Sequence, residues 1–168
     1  KALDDVNGSI QKLYAEDTNL IVFQEDKVSR VLTDKDAIYS AEGGGTVTSS
    51  SVVLGETIPY SGRYGISKNP ESFSVYGGRK YFSDKNRGLI LRLSQDGITP
   101  ISNYGMRDFF KDNLSLASKI YGSYDTHNQN YVLSLHGNNI DGNKGYKTVI
   151  FDEIPQSYSG ITSIGVTD

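Results

Sequence analysis

The sequence predicts a mainly β protein, built from repeated small antiparallel sheets and interrupted by one short helix. Three observations carry that expectation. The chain holds 12 Tyr, 6 Phe and 18 Gly in 168 residues, with no Trp; aromatic side chains suit a pleated surface, and Gly supplies the positive φ of tight turns. Its apolar runs are short and are separated by polar turns, the pattern of strands rather than helices. The same strand–turn–strand layout also recurs along the chain, which points to a repeat architecture.

The first copy has apolar runs at 11–14, 20–23 and 28–32, with polar turns at 15–19 and 24–27. The second has runs at 72–76, 80–83 and 89–93, turning at 77–79 and 84–88. The third has runs at 119–124, 130–135 and 146–151, turning at 125–129 and 137–145. Asp84 and Asp125 each open a turn, where a short carboxylate accepts from backbone amides two residues on. Gly88 closes the turn that Asp84 opens, in the left-handed conformation that Gly tolerates. Asp141-Gly142, with Asn143 through Gly145, is a hairpin signal between His136 and Tyr146. Arg30-Val31-Leu32-Thr33-Asp34 and Arg92-Leu93-Ser94-Gln95-Asp96 end the first two copies alike, each followed by an apolar strand at 37–39 or 98–101.

These copies set approximate repeats at 9–40, 72–102 and 119–153 within one β-repeat segment. Asp26, Asp84 and Asp125 serve as markers of the repeat, near the ~40–50 residues of a propeller blade. The first interval is lengthened by 41–66, which reads as an inserted loop because it carries Gly43-Gly44-Gly45 and Ser49-Ser50-Ser51. The expected architecture is β-propeller-like but partial, with about three blades. Closing a ring takes about four to eight blades. The unit is therefore an open fan of sheets or part of a ring completed elsewhere. Lys1 stands where a Met would start a chain, and both ends read as mid-chain sequence. A segment of a longer polypeptide is expected.

One helix is expected at 106–117. Met106, Phe109, Phe110, Leu114 and Ala117 fall at helical spacing, with Arg107, Asp108, Lys111 and Asp112 on the opposite face. Ser102 or Asn103 would help to cap its start. Its aromatic face would pack on a sheet.

Composition narrows the function classes. Charged residues make up 22% and hydrophobic ones 36%, too apolar for a disordered chain and ordinary for a globular one. The formal charge is -3 and the pI about 5.4; Arg87 with Lys85 makes one basic turn, so tight nucleic-acid binding is not expected. The longest aliphatic run, Leu20-Ile21-Val22-Phe23, is far short of the ~20 residues that cross a bilayer as a helix, and no membrane contact is expected. The absence of Cys removes disulfides and thiolate metal sites.

A longer ordered string carries a resemblance. Tyr64-Gly65-Ile66-Ser67-Lys68-Asn69-Pro70-Glu71-Ser72-Phe73 leads to Arg79-Lys80-Tyr81-Phe82-Ser83-Asp84-Lys85-Asn86-Arg87-Gly88. Leu91-Arg92-Leu93-Ser94-Gln95-Asp96-Gly97-Ile98-Thr99-Pro100 follows. Then come Gly105-Met106-Arg107-Asp108-Phe109-Phe110 and Ile120-Tyr121-Gly122-Ser123-Tyr124-Asp125. This string resembles the repeat region of large structural proteins of tailed bacteriophages, contractile-tailed marine phages and crAss-like phages among them. The resemblance is sharpest over about 54–135 and continues outside it as strand rhythm. It implies a virion component of the tail, neck or baseplate with propeller-like repeats, similar in style to nozzle or muzzle proteins at tail tips. It implies no catalytic residues.

Several candidate sites are weaker than their structural alternatives. His127 and His136 on neighbouring strand ends would share a metal with Asp125 or Asp141, but no further cluster at metal spacing accompanies them. Residues 141–152 resemble a calcium loop, yet Gly145, Tyr146 and Asp152 occupy the fifth, sixth and twelfth positions, where an acidic or amide ligand, Gly and Glu belong. Ser94 to Thr99 resembles an Asp-box turn with one residue missing between Asp96 and Gly97. Paired carboxylates for glycoside cleavage find no support, since no carboxylate stands in an apolar context that would raise its pKa. Gly43-Gly44-Gly45 lacks the Lys-Ser/Thr of a phosphate loop, and nothing resembles a nucleophile elbow. Tyr-rich strands offer stacking faces to sugars, but such residues more often fill sheet cores and interfaces.

The expectation is a non-enzymatic subunit without cofactor or metal, acting by shape in a virion. Its partners would be other virion proteins and further copies of itself. Its marked residues are structural: Asp84, Gly88, Asp96, Gly97, Asp125, Asp141 and Gly142 in turns, with Met106, Phe109, Phe110 and Leu114 packing the helix. Two rivals stay open, a carbohydrate-binding or depolymerising host-recognition module and a cellular β-propeller interaction domain.

Overall fold

The computed structural model describes residues 2–34, 53–140, 142, 145–154 and 156–158. Its strands form three four-stranded antiparallel sheets, and within each sheet every strand pairs with its neighbour in sequence. The first sheet holds β1 (Ile10–Ala15), β2 (Asn19–Gln24), β3 (Val28–Asp34) and β4 (Val53–Pro59). The second holds β5 (Ser74–Tyr76), β6 (Arg79–Asp84), β7 (Leu89–Ser94) and β8 (Gly97–Pro100). The third holds β9 (Lys119–Asp125), β10 (Asn130–His136), β11 (Tyr146–Asp152) and β12 (Ser157–Tyr158). A single short helix among the described residues, α1 (Arg107–Leu114), lies between the second and third sheets in sequence.

The second sheet explains how the three are held together. Register places Phe82 opposite Leu91 and Tyr81 opposite Arg92, and side chains alternate across a pleated strand. Phe82, Leu91 and Leu93 therefore share one face and pack with Ile21, Phe23 and Val28 of the first sheet. Tyr81 and Ile90 share the other face and pack with Tyr131, Leu133, Leu135, Val149 and Phe151 of the third. Both faces of the middle sheet are covered, so β6 and β7 read as near-continuous buried runs rather than as an alternation. Each fully buried Leu, Ile or Phe contributes ~1.5–3 kcal/mol. The two apolar seams accordingly outweigh any exposed ion pair, worth ~0–1 kcal/mol.

The third sheet shows the opposite pattern. Along β10 and β11 buried residues alternate with half-buried ones, ending on the exposed His136 in β10, because one face meets the second sheet and the other does not. Helix α1 adds Phe110 and Leu114, both fully buried, to that seam, with Met106 and Phe109 packed partly against it.

Several expectations need correction. The helix is shorter than 106–117: Met106 is its N-cap and Ser115 its C-cap, and Ala117 is buried beyond its end. Ser102 and Asn103 do not cap it; they lie in a separate 3-10 turn, Ile101–Asn103, and Gly105 at φ 92 reverses the chain before the helix starts. The segment 41–66 is not wholly a loop, since β4 occupies its second half. Thr57 and Ile58 pair with Val31 and Arg30, and this long-range ladder makes a strand beyond the Gly43-Gly44-Gly45 and Ser49-Ser50-Ser51 runs that signal a loop. Residues 41–52, and the strand expected at 37–39, lie outside the described residues. Strand β8 ends at Pro100, one residue before the end expected, because Ile101 begins the 3-10 turn. The third sheet has a fourth strand, β12, beyond 153.

The repeat marker also changes. The turns of Asp26 and Asp84 join the second and third strands of their sheets, whereas that of Asp125 joins β9 to β10, the first and second. Asp125 is therefore not the counterpart of Asp84, and the Asp84–Asp125 interval does not measure a repeat. The true counterparts are the second strands, which begin at Asn19, Arg79 and Asn130.

Candidate functional site

Polar side chains bridge the sheets at the edges of the apolar seams, and these bridges are the best-defined constellations in the molecule. Asp84 ends β6 and is fully buried. Its carboxylate accepts from the Gly65 amide at 3.1 Å and the Ser67 hydroxyl at 3.1 Å. Arg87, in the same turn, donates to it at 3.1 Å and to Asp26 of the first sheet at 3.0 Å. The Ser67 hydroxyl in turn accepts from the Asn86 amide at 3.0 Å, with Ser67 held at φ 53. One carboxylate thus ties a hairpin of the second sheet to the linker that leaves the first. Burial raises the Asp84 pKa above its ordinary value, and the donated bonds and Arg87 offset part of that rise. No carboxylate was expected in such a setting, and Asp84 corrects that reading.

A close approach of backbones supports the same junction. A Cβ on Gly65 would lie 2.1 Å from the Glu25 carbonyl oxygen, so only Gly lets the linker sit on the first sheet's hairpin.

The second bridge crosses from the second sheet to the third. Glu153, just after β11, is nearly buried. It accepts two bonds from Arg92 at 2.6 Å and one from the Tyr81 hydroxyl at 2.8 Å, with Arg79 at 3.9 Å. Both of its oxygens are satisfied, as a buried carboxylate requires. Burial, then the bond to Glu153, pushes the Tyr81 phenol pKa well up. Tyr131 donates to the Ser72 carbonyl at 2.7 Å beside it. A third contact pairs Lys80, nearly buried, with Glu16 of the first sheet, its ammonium lying 5.3 Å from the Tyr14 ring centroid. The Arg87–Asp26, Arg92–Glu153, Tyr81–Glu153 and Lys80–Glu16 partners stand 61, 61, 72 and 64 residues apart in sequence. No local signal marked Glu153 or Glu16; Lys80, Tyr81 and Arg92 stand out in sequence only as parts of the strand runs and the ordered string.

The turn residues read from the sequence fall where turns occur. Gly88 has φ 67 and Gly97 φ 102, and the exposed Asp96 sits in the two-residue loop between Ser94 and Gly97. Asp125 accepts from the amides of His127 at 3.0 Å and Asn128 at 3.2 Å, and from the Asn128 side chain at 2.7 Å. These bonds, led by the Asn128 side chain, hold its pKa below the ordinary value. Gly142 has φ 72; Asp141 lies outside the described residues. His127 and His136 are not neighbours, because they flank opposite ends of β10, a strand of ~20 Å. Among the described residues no group of three or more His, Cys, Asp or Glu is placed to hold a metal ion. No helix there is long and apolar enough to cross a membrane.

A polar hollow of about 420 Å³ opens where the β2–β3 and β6–β7 turns meet the linker at 67–69 and Ser118, lined by Glu25, Ser67, Lys68, Asn69 and Lys85 among others. Lys85 spans it to donate to the Ala117 carbonyl at 2.7 Å. Chemically, these arrangements hold sheets in register. No protein-family model and no curated protein matches the chain.

Proposed function

We propose that the chain is a structural component of a tailed-phage virion, in the tail, neck or baseplate, acting as a rigid β scaffold for protein–protein assembly. Its three sheets would be consecutive blades of a propeller-like array, and its partners would be further copies of itself and other virion proteins. The observation that carries this reading is the middle sheet, whose two faces are buried against the first and third sheets. Stacking of that kind resists shear, because sliding the middle sheet exposes apolar area on both sides and breaks the Asp84 and Glu153 bridges together. The ordered resemblance over about 54–135 supplies the virion context. Obligate assemblies of this kind bury large interfaces and follow closed rotational symmetry.

The half-exposed tyrosines Tyr76, Tyr104 and Tyr121 stand on separate elements, which favours the scaffold over a single aromatic groove for sugars. Mass spectrometry of purified phage particles tests the proposal. The expected result is peptides of this chain at a fixed multiple per particle. Peptides found in the infected-cell lysate but absent from particles, or glycan cleavage by the purified chain, would overturn it.

A further inference from the structure

We propose that Tyr76 and Tyr124 form an oxidative cross-linking site, where a one-electron oxidant joins the two rings as bityrosine and staples the second sheet to the third. The inference rests on geometry and stands independently of the virion reading. Tyr76 ends β5 and is 40% exposed; Tyr124 lies on β9. Their ring centroids are 4.5 Å apart and their planes differ by 8°. An oxidant reaches Tyr76 from solvent and finds a second phenol already in contact.

The other exposed tyrosines lack such a partner. The ring contacts of Tyr104 and Tyr121 are Phe151 at 6.2 Å and His136 at 5.4 Å, neither of which forms a bityrosine. Behind the pair, rings continue inward: Tyr124 to Tyr81 at 5.5 Å, then Tyr81 to Tyr131 at 5.0 Å, both stacked. The exposure of Tyr76 directs a solvent oxidant to the outer end of this stack. Tyr81 and Tyr131 are buried at 0% and 1% exposure.

The chemistry balances with an oxidant that accepts one electron at a time, such as a photo-generated ruthenium(III) polypyridyl complex. Two oxidant molecules each take one electron, one from Tyr76 and one from Tyr124, and each phenol gives its proton to water. The two phenoxyl radicals couple through their ortho carbons. Each coupled ring then moves its ortho hydrogen to oxygen and regains aromaticity. The net change is a new carbon–carbon bond, two electrons passed to the oxidant and two protons released.

The test irradiates the dilute full chain with ruthenium(II) trisbipyridyl and persulfate, then digests the monomer band. The expected product is one linked peptide pair containing Tyr76 and Tyr124, lighter than its parts by two hydrogens, with bityrosine fluorescence. Tyr76→Phe and Tyr124→Phe should each abolish link and fluorescence, while Tyr81→Phe keeps both. Circular dichroism of each variant confirms that the sheets remain. Oxygen addition at Tyr76 without a link, or links led by Tyr104 or Tyr121, would overturn the proposal.

Discussion

Tyr81 donates its phenol hydrogen to Glu153 at 2.8 Å across the seam between the second and third sheets, although 72 residues separate them in sequence. The bond is buried and its acceptor is charged, so it stands among the stronger hydrogen bonds. Tyr81→Phe should destabilise the chain by about 1.5–3 kcal/mol. Glu153→Gln should do so by about 3 kcal/mol, because it strands Arg92 at the edge of the core. Urea unfolding of both variants and of the double variant should give a coupling of at least about 1 kcal/mol. Strict additivity would show that the contact contributes nothing.

The same phenol shapes the alkaline limit. Burial and Glu153 raise the folded pKa of Tyr81 above the ordinary value of 10.0. A raised pKa means that the folded state holds its proton longer than the unfolded state does. That stability is complete below pH 10 and is lost as pH rises through the folded value. Above pH 10, Tyr81→Phe should flatten the fall of stability by about 1.4 kcal/mol per pH unit, measured as the denaturant midpoint in a pH series.

Asp84 acts at the acid end. Its folded pKa is raised from 3.8, chiefly by burial. The folded state therefore binds the proton more tightly, and the favourable contribution is complete below pH 3.8 and lost as pH rises through the folded value. Compared with Asp84→Asn, which does not titrate, the wild-type chain should lose relative stability over that window. Unfolding of both proteins from pH 3 upward in one buffer series checks the sign. At neutral pH, Asp84→Ala should destabilise by about 3–5 kcal/mol, since it removes the partner of buried donors and of Arg87.

Gly122 sits where the third sheet touches the linker into the second. A Cβ there would lie 2.0 Å from the Ser72 carbonyl oxygen and 2.7 Å from the Tyr131 hydroxyl, the two partners of one hydrogen bond. Gly122→Ala should destabilise by about 1–3 kcal/mol or more. Gly78→Ala meets nothing within 4 Å and needs no positive φ, so it should stay within about 0.5 kcal/mol. Thermal melts of the two variants side by side make the comparison.

Strand rhythm was legible where local chemistry decides it. The runs at 80–83, 89–93, 130–135 and 146–151 became strands because their apolar residues are short in number and bounded by Asp and Gly turns. Gly88, Gly97 and Gly142 were legible for the same reason, a positive φ at a turn. Strand β4 was not, because the Gly43-Gly44-Gly45 and Ser49-Ser50-Ser51 runs before it read as loop, and only pairing with β3 makes it a strand. The bridges were hidden more deeply. Nothing near Glu153 in sequence announces Tyr81 or Arg92, and Asp84 looked like an ordinary turn opener until Gly65 and Ser67 closed over it. Long-range packing, not local pattern, turned those residues into clamps.

Native-state hydrogen exchange in low denaturant tests most directly whether the three sheets act as one stiff body. Amides of β6 and β7 should exchange only through global unfolding, and those of β2, β3, β10 and β11 should join the same opening at nearly the same free energy. Exchange of the first or third sheet at a free energy several kcal/mol lower, while the second stays protected, would contradict the scaffold.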